Sequence, residues 1–134
     1  ENLVDWNLSR SRFWGTPLPI WRTQDGKEEI CIGSVEELIN GIEACLSSNV
    51  LSAEEKKKME SILQSFNAST FDLHRPYVDD IILLSNSKQK MYREPDLIDV
   101  WFDSGAMPYA QWHYPFENKD IFEKNYPADF IAEG

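Results

Sequence analysis

Cysteine is scarce in this chain: Cys31 and Cys45 are the only two among 134 residues. That is too few for a disulfide scaffold, and a reducing compartment is the default expectation. His74 and His113 lie far from both in sequence. With no CxxC or HxxxH pair, a zinc site would need four scattered ligands, so no metal site is expected. A Cys/His nucleophilic pair is no better supported, and Cys45, on an apolar helical stripe, reads as core. No apolar run approaches the ~18 residues of a membrane-spanning helix. The first residues, Glu1 to Trp6, contain neither Met nor a basic-then-apolar leader, and the chain reads as an excerpt from a longer protein. The glycine-rich phosphate cradles GxxxxGK[ST] and GxGxxG are also missing, so a nucleotide role requires another architecture or parts outside this chain.

Basic residues are outnumbered 13 to 23, for a net charge of -10. A free-standing nucleic-acid binder is thereby disfavoured, because phosphate affinity rests on clustered Lys and Arg. The acidity is uneven. Residues 94–134 hold nine acids against Lys119 and Lys124, whereas residues 1–23 hold Arg10, Arg12 and Arg22 against two acids. Local charge favours contact with nucleic acid only in the N-terminal segment, around Arg10, Arg12 and Arg22.

What is present reads as α+β. Residues 4–23 are rich in aromatics and proline, and Gly15 to Trp21 should be extended because each proline restricts itself and its predecessor. Asp25-Gly26 signals a hairpin turn, with Glu28 to Ile32 as the returning strand. Ser34-Val35-Glu36-Glu37 and Ser52-Ala53-Glu54-Glu55 read as capping boxes opening two helices, joined as a helical hairpin. Lys56-Lys57-Lys58 on the second helix reads as a solvated face. Residues 77–84 look like a strand, and Lys88 to Arg93 an exposed, alternating strand that pairs back on it. Asn118 is placed to cap a short helix over Lys119 to Lys124, and Ala128 to Ala132 is a candidate buried strand. Asp99 and Asp103, flanking Trp101-Phe102, make a glycosidase-like carboxylate pair conceivable.

Two stretches are too unusual for generic core. One is Asp5-Trp6-Asn7-Leu8-Ser9-Arg10-Ser11-Arg12-Phe13-Trp14-Gly15-Thr16-Pro17-Leu18-Pro19-Ile20-Trp21. The other is Asp99-Val100-Trp101-Phe102-Asp103-Ser104-Gly105, followed by Pro127-Ala128-Asp129-Phe130-Ile131-Ala132-Glu133-Gly134. Together they resemble the class I aminoacyl-tRNA synthetases for branched aliphatic amino acids. Cys31 to Leu38, Asp72-Leu73-His74-Arg75, Met107 to Gln111 and His113 to Asn118 resemble the isoleucyl enzymes within that family. The valyl and leucyl enzymes are the alternative, and a non-catalytic interaction domain built on the helical hairpin is a reading from another class. The resemblance covers residues 1–40 and 71–134; residues 41–70 look like an insertion.

The resemblance implies residues 1–33 leaving an editing domain, a helical-hairpin insertion at 34–70, and a β-hairpin with part of a Rossmann-type catalytic domain at 71–134. It implies a parent that activates isoleucine with ATP, with Mg expected, and transfers it to tRNA(Ile) in the cytoplasm. Neither the HIGH nor the KMSKS signature is in this chain, so the fragment alone is expected to be inactive and to bind nucleic acid weakly. Glu133 and Gly134 match the first two residues of the family's Glu-Gly-x-Asp-Gln adenylate-binding run. A carboxylate at a strand's carboxyl end can accept adenylate hydrogen bonds there, while glycine admits close backbone approach. Trp101 is implied as a wall of the isoleucine pocket, and Arg10 and Arg12 as contacts for the tRNA acceptor end.

Overall fold

The computed structural model describes residues 4–132. The chain forms two compact units, one of Ser9–Leu97 and one of the flanking segments Glu1–Leu8 and Ile98–Gly134. The two-residue strands β1 (Ser9–Arg10) and β6 (Leu97–Ile98) lie where the chain passes from one unit to the other.

The Ser9–Leu97 unit is built on an antiparallel sheet of β2 (Ile20–Thr23), β3 (Glu29–Cys31), β4 (Ile82–Leu84) and β5 (Lys90–Arg93) in the order β3-β2-β5-β4. The Asp25-Gly26 turn forms as expected. Gly26 takes a positive φ of 68°, and its N–H donates to the Thr23 carbonyl at 2.9 Å. The resulting register sets Trp21 opposite Ile30 and Arg22 opposite Glu29. Alternation then turns Trp21 and Thr23 inward and Arg22 outward, where it pairs with Glu29 and Glu94. The buried indole of Trp21 donates to the Ile81 carbonyl at 2.9 Å.

Helices α1 (Val35–Leu46) and α2 (Ala53–Asn67) form the hairpin and cover this sheet. Leu38, Ile42 and Cys45 meet Met59 and Ile62 in a core shared with Trp21, Ile81, Leu83 and Met91. Ser52 and Glu55 make the full reciprocal box expected of them. At α1 only half of the box exists. Ser34 accepts from the Glu37 N–H, but the Glu37 carboxylate reaches back one residue further, accepting from Gly33 N at 2.7 Å. Lys58 pairs with Asp80 at 2.7 Å on an exposed face.

Two strand expectations in this unit need correction. Residues Tyr77–Asp80 form a 3-10 turn, and the strand begins only at Ile82. The turn buries Val78 and presents Asp79 to Arg75 and Arg93, which an extended backbone would separate. Strand β5 is interior, flanked by β2 and β4, and its alternation buries Met91 and Arg93.

In the other unit, α3 (Val100–Ala110) and α4 (Lys119–Asn125) are joined by a turn-rich segment. Tyr114 stacks on Phe122 with centroids 4.0 Å apart, and Phe122 stacks on Tyr126 at 4.9 Å. Tyr109, at the end of α3, bonds through its hydroxyl to that of Tyr126 at 3.0 Å, which raises the Tyr109 pKa. Asn118 precedes α4 but does not cap it. Its backbone is left-handed, and its amide donates to the Trp112 carbonyl at 3.1 Å. Residues 128–132 form no strand and are exposed, with Phe130 and Ile131 facing solvent. No strand ladder reaches them among the described residues, so their apolar side chains have no sheet to pack on.

Candidate functional site

Helix α3 starts at Asp99, whose extended backbone makes it the N-cap. Its Oδ1 accepts from the Trp101 backbone N–H at 3.4 Å, and its Oδ2 accepts from the Trp6 indole Nε1 at 3.0 Å. The Asp99 N–H donates to the Leu8 carbonyl at 2.8 Å. Only 4% of Asp99 is exposed. With both carboxylate oxygens so occupied, it is ill suited to the general acid or base work of a glycosidase pair.

The helix capped in this way carries Trp101 in its first turn with 62% of its surface exposed. Val100, Phe102 and Met107 are exposed as well, and no residue of α3 is buried. The Trp101 carbonyl accepts from Ser104 Oγ at 3.2 Å. A broad, rigid aromatic face is thus presented from a fixed helix start, an arrangement suited to measuring the shape of an apolar group.

The basic arm belongs to the Ser9–Leu97 unit. Arg10 Nη1 donates to the Ser9 carbonyl at 2.8 Å, and Ser11 Oγ donates to Asp96 Oδ1 at 2.9 Å. The Arg12 side chain is exposed and makes no hydrogen bond or ion pair among the described residues. Its carbonyl accepts from Arg75 Nη1 at 3.2 Å, and the Arg75 guanidinium sits 5.1 Å above the Phe13 ring. Phe13 in turn meets Trp14 edge-on at 5.5 Å. The turn at Gly15 has φ 139°, and a Cβ there would meet Leu97 Cδ1 at 3.2 Å, so both backbone and space favour glycine.

Trp101 therefore sits in one unit and Arg10 and Arg12 in the other, while Glu133 and Gly134 lie outside the described residues. The partnership of Trp6 with Asp99 was not legible in the sequence, since 93 residues separate them. No group of three His, Cys, Asp or Glu side chains among the described residues could hold a metal ion.

A sequence model of the family described as tRNA synthetases class I (I, L, M and V) matches residues 1–134. The chain belongs to the class I tRNA synthetases. Isoleucine–tRNA ligase of Cytophaga hutchinsonii is 63% identical over the whole chain, which covers 11% of that relative. The ligase of the same name from Bacteroides thetaiotaomicron is also 63% identical over the whole chain, covering 12% of its length. The cytoplasmic isoleucine–tRNA ligase of Arabidopsis thaliana is 44% identical over the whole chain and 10% of its own length. The chain thus spans about a tenth of the length of these relatives. The synthetase match runs through residues 41–70 as well, so the helical hairpin lies inside the matched region.

Proposed function

We propose that this chain is part of an isoleucine–tRNA ligase that activates isoleucine with ATP and transfers it to tRNA(Ile). The observation that carries the reading is 63% identity along the entire chain to relatives bearing that name. In this reading residues 1–33 leave the editing domain, 34–70 form a helical-hairpin insertion, and 71–134 enter a Rossmann-type catalytic domain. A helix such as α3, apolar on several sides and with none of its residues buried, supports a place among further elements of the parent.

Trp101 forms a wall of the isoleucine pocket, supported by its exposed indole on a capped helix. Such a wall resolves one methylene by only ~1–3 kcal/mol, a limit for which isoleucyl enzymes are the standard illustration, and a separate editing site supplies the rest. Glu133 and Gly134 hold the adenylate, a role resting on their motif alone. Arg10 and Arg12 contact the tRNA acceptor end, supported by the exposed, unpaired Arg12 side chain. ATP is a substrate here. Among the described residues no group of three His, Cys, Asp or Glu side chains could hold a magnesium ion. The parent works in the cytoplasm, the compartment printed for the Arabidopsis relative.

The test is pyrophosphate exchange by the full-length protein containing this chain, with isoleucine, valine and leucine compared. Isoleucine should give the highest kcat/KM. A preference for valine or leucine, or no exchange with isoleucine, would refute the reading.

A further inference from the structure

We propose that Trp6 is a positioning residue for amino-acid selection, acting through Asp99 on Trp101; the inference rests on Trp101 as a pocket wall. The cap that starts α3 is long for a hydrogen bond, at 3.4 Å from Asp99 Oδ1 to the Trp101 N–H. The second oxygen of the same carboxylate takes the Trp6 indole at 3.0 Å. A carboxylate with only 4% exposure requires such donors. The indole therefore helps to hold the rotamer of Asp99, and Asp99 caps the first turn of the helix.

The backbone reinforces this. Asp99 N donates to the carbonyl of Leu8, two residues beyond Trp6, at 2.8 Å. The segment bearing Trp6 is thus tied to Asp99 by main chain and side chain together. The side chains of α3 itself do little to set its start, because none of its residues is buried. At its other end Tyr109 is fixed by Tyr126 and Phe122, so freedom at the first turn becomes displacement of the Trp101 ring. Displacing a pocket wall weakens the fit of the side chain it measures, which is a cost in substrate binding.

Steady-state pyrophosphate exchange with isoleucine and valine in the full-length protein tests this. Trp6→Phe keeps an aromatic ring and removes the N–H donor, at a residue that is half exposed. Asp99→Asn keeps a capping oxygen but turns an amide NH2 toward either the Trp101 N–H or the Trp6 indole. Both should raise KM for isoleucine about threefold to tenfold, the effect of one net hydrogen bond. The isoleucine-to-valine ratio should fall, while kcat and KM for ATP change less than about twofold. Trp101→Ala serves as the reference. If it leaves KM for isoleucine unchanged, the pocket reading itself fails, and the inference with it. If Trp101→Ala raises KM but Trp6→Phe and Asp99→Asn leave KM and the ratio unchanged, the positioning role is overturned. A fall in kcat with both substrates' KM values rising together would show general disruption and also overturn it.

Discussion

Arg93 and Asp79, fourteen residues apart, are joined through Arg93 Nε at 2.7 Å and through a second bond from Nη2 to the same carboxylate oxygen. The other Asp79 oxygen accepts from Arg75 Nε at 2.7 Å. Arg93 also donates to the carbonyls of Leu18, Pro95 and Asp96, which accounts for all five of its N–H groups. One buried cation thereby gathers the approach to β2, the 3-10 turn and the exit from β5.

Removing the counter-charge should be expensive. The Arg93 side chain is 1% exposed and that of Asp79 is 28% exposed, so Asp79→Ala leaves a buried guanidinium uncompensated. A loss of ~3 kcal/mol is expected, the lower part of the range for breaking a buried pair, because Asp79 itself is partly hydrated. Urea denaturation read by tryptophan fluorescence checks it, and a change below about 1 kcal/mol would show that Arg93 does not depend on this partner.

Glu55 should make folding sensitive to acid. The Lys90 ammonium, 2.7 Å away, and the Ser52 N–H that the carboxylate caps lower its pKa from 4.5 to about 2. A depressed folded-state pKa contributes stability that is complete above the unfolded value and lost as pH falls through the folded one. The Glu55 contribution should therefore decline between pH 4.5 and about 2. Stability curves for the protein and for Glu55→Gln should converge across that window; parallel curves would assign the acid response to other carboxylates. Lys90 is raised mainly by the same bond, so its contribution is present below its ordinary pKa and disappears as alkaline pH passes the raised one.

The two thiols should react at different rates. Cys31 is exposed, whereas Cys45 is wholly buried and burial raises its pKa. A chromogenic disulfide reagent should titrate one thiol rapidly in the native protein and the second only on unfolding. Two rapid equivalents would contradict the packing of α1.

Gly41 should resist replacement despite its place within α1. A Cβ there would meet Leu83 Cδ2 at 3.0 Å, and Leu83 is itself 3% exposed, with little room to retreat. Overpacking at ~1–3 kcal/mol outweighs the helix-propensity gain of ~1 kcal/mol, so Gly41→Ala should destabilise by about 1 kcal/mol. Leu83→Ala should abolish that penalty in a double-mutant cycle.

The isolated chain should neither activate isoleucine nor bind an isoleucyl-adenylate analogue tightly, since the family's ATP-handling signatures are not in its sequence. Calorimetric binding in the submillimolar range would overturn that expectation.

Local chemistry made much of the fold legible. The Asp25-Gly26 turn, the Ser34 and Ser52 caps and the core stripe through Cys45 each depend on residues within a few positions, and the structure contains them. The start of α3 was harder to read, because its apolar residues lie on several sides and leave no helical period. The failure at Tyr77–Asp80 has a different origin. A run of apolar and β-branched residues fits a strand, but Asp79 is claimed by a cation fourteen positions later.

Sequence alone determined the family, the capped helices and the tight turn, because motif identity and short-range hydrogen bonding need no distant partner. Tertiary structure alone decided that Arg93 faces inward, that Asp79 turns to meet it, and that Asp99 takes the indole of Trp6, 93 residues away. These are buried or partly buried charges that need partners. Their conformations follow from whichever donor the fold brings within about 3 Å.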